Sequence, residues 1–177
     1  MIAWMQSCDM NIKPSGQRWN GMMTIPRELT LRDGRLYQQP VREIEHYRTE
    51  PVAYVDREIS GRCELPGFRG RVLDLTIELQ EGDYREFIVS FAGNERYHTS
   101  FRYVRDTQTI EFDRTYSGIT RDVVCQRSMR IKKAEKTLKL RLIFDRFSVE
   151  LFVNDGVQTF TSTFYTPLEA EDIVLEC

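Results

Sequence analysis

Cysteine, histidine and charge of a single sign are all in short supply in this chain, and each shortage removes a class of function. Four cysteines occur in 177 residues. Cys8, Cys63, Cys125 and Cys177 lie more than 50 residues apart, and none belongs to a Cys-x-x-Cys pair. That spacing excludes the zinc-ribbon pattern, leaves three two-disulfide connectivities unranked, and makes scattered reduced thiols the expectation. The two histidines, His46 and His98, have no partner at metal-ligand spacing and no neighbouring nucleophile motif. Neither a metal centre nor a Ser-His-Asp arrangement is therefore expected. Phosphate-cradling glycine loops are missing too, and no cofactor is expected.

No apolar run approaches the ~20 residues that a membrane-spanning helix needs. The opening Met1-Ile2-Ala3-Trp4-Met5 is apolar but short, with neither a basic leader nor a small-residue cleavage site, so it reads as an interior strand rather than a signal peptide. Against 27 acidic residues stand 25 basic ones, a net charge of −2. A nucleic-acid binder shows a lopsided basic balance. Here only Arg127, Arg130, Lys132, Lys133, Lys136 and Lys139 form a locally basic stretch, expected to be a solvated strand edge or turn. Nucleic acid and membrane are both excluded as expected partners.

Strand periodicity is what the chain has in abundance. Across Arg71–Gln80 the apolar Leu73, Leu75, Ile77 and Leu79 alternate with Asp74, Thr76, Glu78 and Gln80. That alternation puts one face on a core and the other in water. Glu86–Ala92 continues it with Phe87, Val89 and Phe91. Thr137–Asp145 follows with Leu138, Leu140, Leu142 and Phe144, and Phe147–Val153 with Val149, Leu151 and Val153. Asn154-Asp155-Gly156 predicts a hairpin into Val157–Phe164 whose glycine takes a positive φ. Gly82-Asp83, Gly93-Asn94 and Arg105-Asp106 mark further turns, and helical spacing is confined to a turn or two within Val41–Arg48. The expected fold is all-β: a two-sheet antiparallel β-sandwich. Composition shifts after Ile2–Met5 into a polar stretch containing Asn11, Lys13, Pro14, Ser15, Gly16 and Gln17, which suggests a boundary. Residues 1–20 read as a strand plus linker, and residues 21–177 as the sandwich domain.

Several segments resemble the carboxy-terminal part of glycoside hydrolase family 32, which contains invertases, sucrose-6-phosphate hydrolases, levanases and inulinases. Ile2-Ala3-Trp4-Met5 resembles the strand closing the last blade of that family's five-bladed propeller. Residues 19–29, Trp-Asn-Gly-Met-Met-Thr-Ile-Pro-Arg-Glu-Leu, resemble the way out of the propeller; residues 31–40 and Val41–Glu45 resemble the way into the sandwich. Asp113-Arg114 with Ser117-Gly118 resembles a loop of that sandwich, and residues 145–156 resemble its final hairpin. Where relatives carry a second tryptophan and a tyrosine soon after the first, this chain has Met5-Gln6-Ser7-Cys8-Asp9-Met10. The choice between sucrose and fructan substrates stays open at that point.

The resemblance implies a jelly-roll or concanavalin-like sandwich preceded by a propeller remnant. It also implies that catalysis belongs to an amino-terminal β-propeller outside these residues. Retaining glycosidases need a carboxylate nucleophile and a carboxylic acid about 5–5.5 Å apart. The family's segments for them are absent here. Asn154-Asp155-Gly156, Arg32-Asp33-Gly34 and Glu176-Cys177 share letters with those segments but read as two turns and a strand end. The isolated chain is thus expected to be a non-catalytic accessory module, without catalytic residues, whose partner is the propeller.

The alternative is an independent, lectin-like carbohydrate-binding module, with Tyr84, Tyr97, Tyr103 and Tyr116 as candidate contacts for a fructan or sucrose-type sugar. Ile2 and Trp4 are candidates for an assembly surface, either by folding back or by pairing in a homodimer. A sucrose-6-phosphate-hydrolase-like parent implies a cytoplasmic location, and a levanase-like one export.

Overall fold

A computed structural model describes residues 1–6, 12–14, 16–121, 123–132 and 137–177. Cys8, Asn11, Ser15, Lys133 and Lys136, named above, lie outside the described residues, as does the stretch from Ser7 to Met10. The described residues form twelve strands and one 3₁₀ turn, and every strand pairing is antiparallel. The chain divides into two compact units: Met1–Pro51, Val72–Glu81 and Ala134–Thr163 in the first, Val52–Arg71, Gly82–Lys133 and Phe164–Cys177 in the second. No helix among the described residues is long and apolar enough to cross a membrane.

The first unit contains a hairpin, β1 (Arg27–Arg32) with β2 (Arg35–Pro40), then the 3₁₀ turn Arg42–Tyr47. Beside them is a four-stranded sheet of β4 (Leu73–Gln80), β9 (Thr137–Asp145), β10 (Ser148–Val153) and β11 (Gln158–Thr163), in the order β11-β10-β9-β4. The period-two pattern sets the register. Leu75 lies opposite Leu142, which lies opposite Leu151; Ile77, Leu140 and Val153 form the next row. A one-residue slip would turn both rows to the wrong face.

β10 departs from a simple alternating strand because both its faces are buried. Its second face carries Ser148, Glu150 and Phe152, and residues 25–40 cover it. Glu150 Oε1 accepts from the Ile25 amide at 2.7 Å, and Oε2 accepts from Arg27 Nε at 3.0 Å and from Arg27 Nη2. The other Arg27 N–H groups reach Gln38 Oε1 at 3.0 Å, Thr159 Oγ1 at 3.3 Å and Thr161 Oγ1 at 2.6 Å. All five guanidinium donors are thereby used. The Phe152 ring supplies an apolar floor 5.1 Å beneath the guanidinium carbon.

The predicted hairpin is present between β10 and β11, with a loop of residues 154–157 in which Asn154, Asp155 and Gly156 all take positive φ. Glycine is required at 156 for a second reason: a Cβ there would stand 1.9 Å from the Gln38 carbonyl oxygen. The Arg32-Asp33-Gly34 look-alike is the β1–β2 turn, with positive φ at Asp33 and Gly34. The expected Ile2–Met5 strand is extended chain with one bridge, Trp4 to Met23. It folds back within its own unit: the Met5 amide donates to Met22 O at 2.9 Å, Thr24 to Ala3 O at 2.8 Å and Arg27 to Met1 O at 2.8 Å.

The second unit is a six-stranded sheet in the order β3-β12-β5-β6-β7-β8. Its strands are β3 (Arg62–Cys63), β5 (Glu86–Gly93), β6 (Thr99–Val104), β7 (Thr109–Asp113), β8 (Gln126–Arg130) and β12 (Asp172–Glu176). Its buried rows run Phe87–Tyr103–Ile110 and Val89–Phe101–Phe112. Arg127 and Arg130 of the basic stretch fall on β8, an outer strand of this sheet, in line with the edge reading, but Lys139 departs from it: it lies on β9, between β10 and β4. The buried Arg71 guanidinium donates to the carbonyls of Pro167, Ala170 and Thr166 and lies over Phe164. Burial lowers its pKa to about 10.

Replacing Glu150 by Ala leaves a buried guanidinium without its counter-charge. The expected loss is about 3–5 kcal/mol of unfolding free energy. The double replacement Arg27→Met/Glu150→Leu removes both charges and should lose much less. Urea denaturation of the three chains checks this; equal losses in the single and double variants would contradict it.

Candidate functional site

A polar cleft in the first unit has a volume of about 240 Å³. Gln39 and Pro40 at the end of β2 form one wall with Glu45 of the 3₁₀ turn and Arg48, the residue that follows it. Thr76 and Glu78 of β4, Lys139 and Arg141 of β9, Phe152 and Asp155 form the rest. β4 and β9 supply these polar groups because alternate residues of a strand face opposite sides, and Leu75, Leu138, Leu140 and Leu142 take the other face.

Four charged residues fix one side of the cleft. Arg141 Nε and Nη2 donate to the two Asp74 oxygens at 2.9 and 2.7 Å, and Nη2 also reaches Glu45 at 2.8 Å. Arg48 Nε donates to Asp74 at 2.7 Å and its Nη1 pairs with Glu45. Burial works against the charged form of Asp74, but the hydrogen bonds from Arg141 and Arg48 outweigh it and hold the carboxyl below the usual carboxylate range. Glu45 and Asp74 therefore share two guanidiniums between them. For Asp74 this favours the ionised form, whereas a glycosidase acid needs its pKa raised. On the other side, Lys139 Nζ pairs with Asp155 at 2.9 Å, and the Asn154 side chain accepts from the Lys139 amide at 3.0 Å.

The sequence-predicted sugar contacts Tyr84, Tyr97, Tyr103 and Tyr116 all belong to the second unit. Tyr103 is a correction: β6 turns it inward between Phe87 and Ile110, so its ring is core and presents no platform to a sugar. Tyr84 and Tyr97 are half-buried, each with a guanidinium over the ring, Arg105 at 5.4 Å and Arg96 at 5.2 Å. Tyr116 is 61% exposed and stacks on His98 at 5.1 Å, a partner that spacing did not suggest. Ile2 and Trp4 are exposed, Trp4 at 60%, and the Trp4 indole lies against Gly21. Among the described residues no group of three or more His, Cys, Asp or Glu is placed to hold a metal. Cys63, Cys125 and Cys177 are free thiols. Sequence reasoning placed Thr76 and Glu78 on a polar strand face but had no signal that Gln39 and the 3₁₀ turn would stand opposite them.

Comparison with known proteins adds the following. The family model "Glycosyl hydrolases family 32 C terminal" matches residues 43–176, and "Glycosyl hydrolases family 32 N-terminal domain" matches residues 1–40. The chain is similar to a sucrose-6-phosphate hydrolase of Staphylococcus xylosus, 28% identical over 98% of this chain and 35% of that protein. It is 28% identical to a raffinose invertase of Escherichia coli over 99% of this chain and 36% of the relative. The chain thus spans about a third of the length of these curated relatives. Its fold matches the crystal structure of exo-inulinase from Aspergillus awamori with a TM-score of 0.85 and 21% identity, over 99% of this chain and 36% of the inulinase.

The Asp74 network makes stability pH-dependent in a defined direction. A carboxyl whose folded pKa lies below its unfolded value near 3.8 contributes fully above that value, and the contribution is lost as pH falls through the folded one. In the Asp74→Asn chain this acid limb should be shallower. Urea midpoints measured from about pH 6 down to about pH 2 check it, and parallel curves for both chains would refute the assignment.

Proposed function

The chain belongs to glycoside hydrolase family 32, and from that premise we propose that it is the non-catalytic accessory β-sandwich of a β-fructofuranosidase-type hydrolase. Its work is to cap and stabilise an amino-terminal catalytic propeller that acts on sucrose, sucrose 6-phosphate or fructans. The supporting observation is where the exposed apolar surface falls. Ile2, Trp4, Trp19, Leu29, Leu31 and Leu36 are all large exposed hydrophobics within the segment that the amino-terminal family model matches. A concentration of that kind marks a surface that another body covers. The remaining two-thirds of a family protein is the body this reading supplies.

The location that goes with a sucrose-6-phosphate-hydrolase-like parent is the cytoplasm, which agrees with free thiols at Cys63, Cys125 and Cys177. The lectin-like alternative keeps one supporting feature, the exposed Tyr116 ring on His98.

Two measurements test the reading. Incubated with sucrose or inulin, the chain should release no fructose above a protein-free blank; turnover comparable with intact relatives would overturn the accessory role. Without its covering body the apolar segment should make the chain self-associate as its concentration rises. Sedimentation should show that association weakened in the Trp4→Ser/Leu31→Ser double variant, while a monomer at every concentration would count against the covered surface.

A further inference from the structure

We propose that the polar cleft of the first unit binds one ring of an uncharged saccharide through Gln39, Thr76 and Glu78. The identification of the ligand as a sugar rests on the family reading above; the case for a site is local. Among the described residues, those three side chains line the cleft with no hydrogen-bond or ion-pair partner. Thr76 and Glu78 are two apart on β4 and share a face. Lys139 is the register partner of Glu78, yet its ammonium is committed to Asp155. A carboxylate that faces a cation across a strand pair and is left unmatched is open to a ligand hydroxyl.

The charges of the lining favour neither an anion nor a cation. Glu45, Glu78 and Asp155 balance Arg48, Lys139 and Arg141. All three cations are already paired with carboxylates, and an incoming phosphate would also meet the negative charge of Glu78. A metal ion would meet one free carboxylate among three fixed positive charges. A neutral polyhydroxylated ring suits what is left. Its hydroxyls donate to Glu78 and accept from the Gln39 amide and the Thr76 hydroxyl, while its C–H face packs on Pro40 and the edge of Phe152. About 240 Å³ is smaller than a site for a drug-sized ligand and suits one ring.

The test is a titration of the 177-residue chain followed by backbone amide NMR. Sucrose and 1-kestose serve as uncharged probes and sucrose 6-phosphate as the anionic one. Saturable shifts are expected at Gln39, Thr76, Glu78 and Lys139, with the phosphorylated sugar binding no tighter than sucrose. Glu78→Ala should weaken binding about tenfold. Thr76→Val should weaken it less, and Tyr116→Ala should leave it unchanged. The proposal is overturned by absence of saturable shifts at the cleft, by tighter binding of the phosphorylated sugar, by unaltered affinity in both cleft variants, or by loss of binding in Tyr116→Ala. A cleft that stays empty leaves the hydrolysis assay and the accessory role untouched, so the two readings fail separately.

Discussion

One buried ion pair organises the first unit. Arg27 and Glu150 are both almost wholly removed from solvent, and burying either charge alone would be prohibitive. Both become tolerable because each polar atom is met: the guanidinium spends all five N–H groups, and the carboxylate takes a third hydrogen bond from the Ile25 amide. The consequence is positional. Residues 25–40 are fixed over the second face of β10, which brings Gln38 against Gly156 and sets the end of β2 beside β4 and β9. The hairpin loop, the 3₁₀ turn and the walls of the cleft all take their places from that anchor.

The same pair joins the two parts that the family models separate. Arg27 lies in the segment matched by the amino-terminal model, and Glu150 in that matched by the carboxy-terminal one. An apolar contact would hold two such segments together with little preference for orientation. Here Arg27 Nε and Nη2 both donate to Glu150 Oε2 while Oε1 takes the Ile25 amide, and these directional bonds also fix the angle of approach. Elsewhere the arginines serve comparable ends: Arg71 gathers three carbonyls of residues 166–170, and Arg141 with Arg48 ties the 3₁₀ turn to Asp74.

How much of this was legible beforehand varies from residue to residue for a physical reason. β9 runs over Thr137–Asp145 as expected, and β4 begins two residues inside its predicted span, because strict alternation leaves only one register that buries the leucines. The Asn154-Asp155-Gly156 turn was readable because positive φ is a local demand of few residue types. Tyr103 and Tyr116 could not be told apart in the same way. Both are tyrosines near strands, and only the pairing of β6 between β5 and β7 decides that one becomes core while the other stands exposed on His98.

By itself, then, the sequence determined the all-β class, the approximate spans of β4, β5, β9, β10 and β11 and the hairpin turn between the last two, since these follow from periodicity and backbone preference within short windows; the family was legible only as a resemblance, carried mainly by residues 19–40 and 145–156. Tertiary structure alone decided that Glu150, a carboxylate in the middle of an apolar strand, would meet a guanidinium 123 residues away. It alone set Gln39 opposite Thr76 and Glu78, and it alone spent the cations of the cleft on neighbouring acids. Pairings of that range depend on which surfaces come together, and no local pattern encodes a partner so distant along the chain.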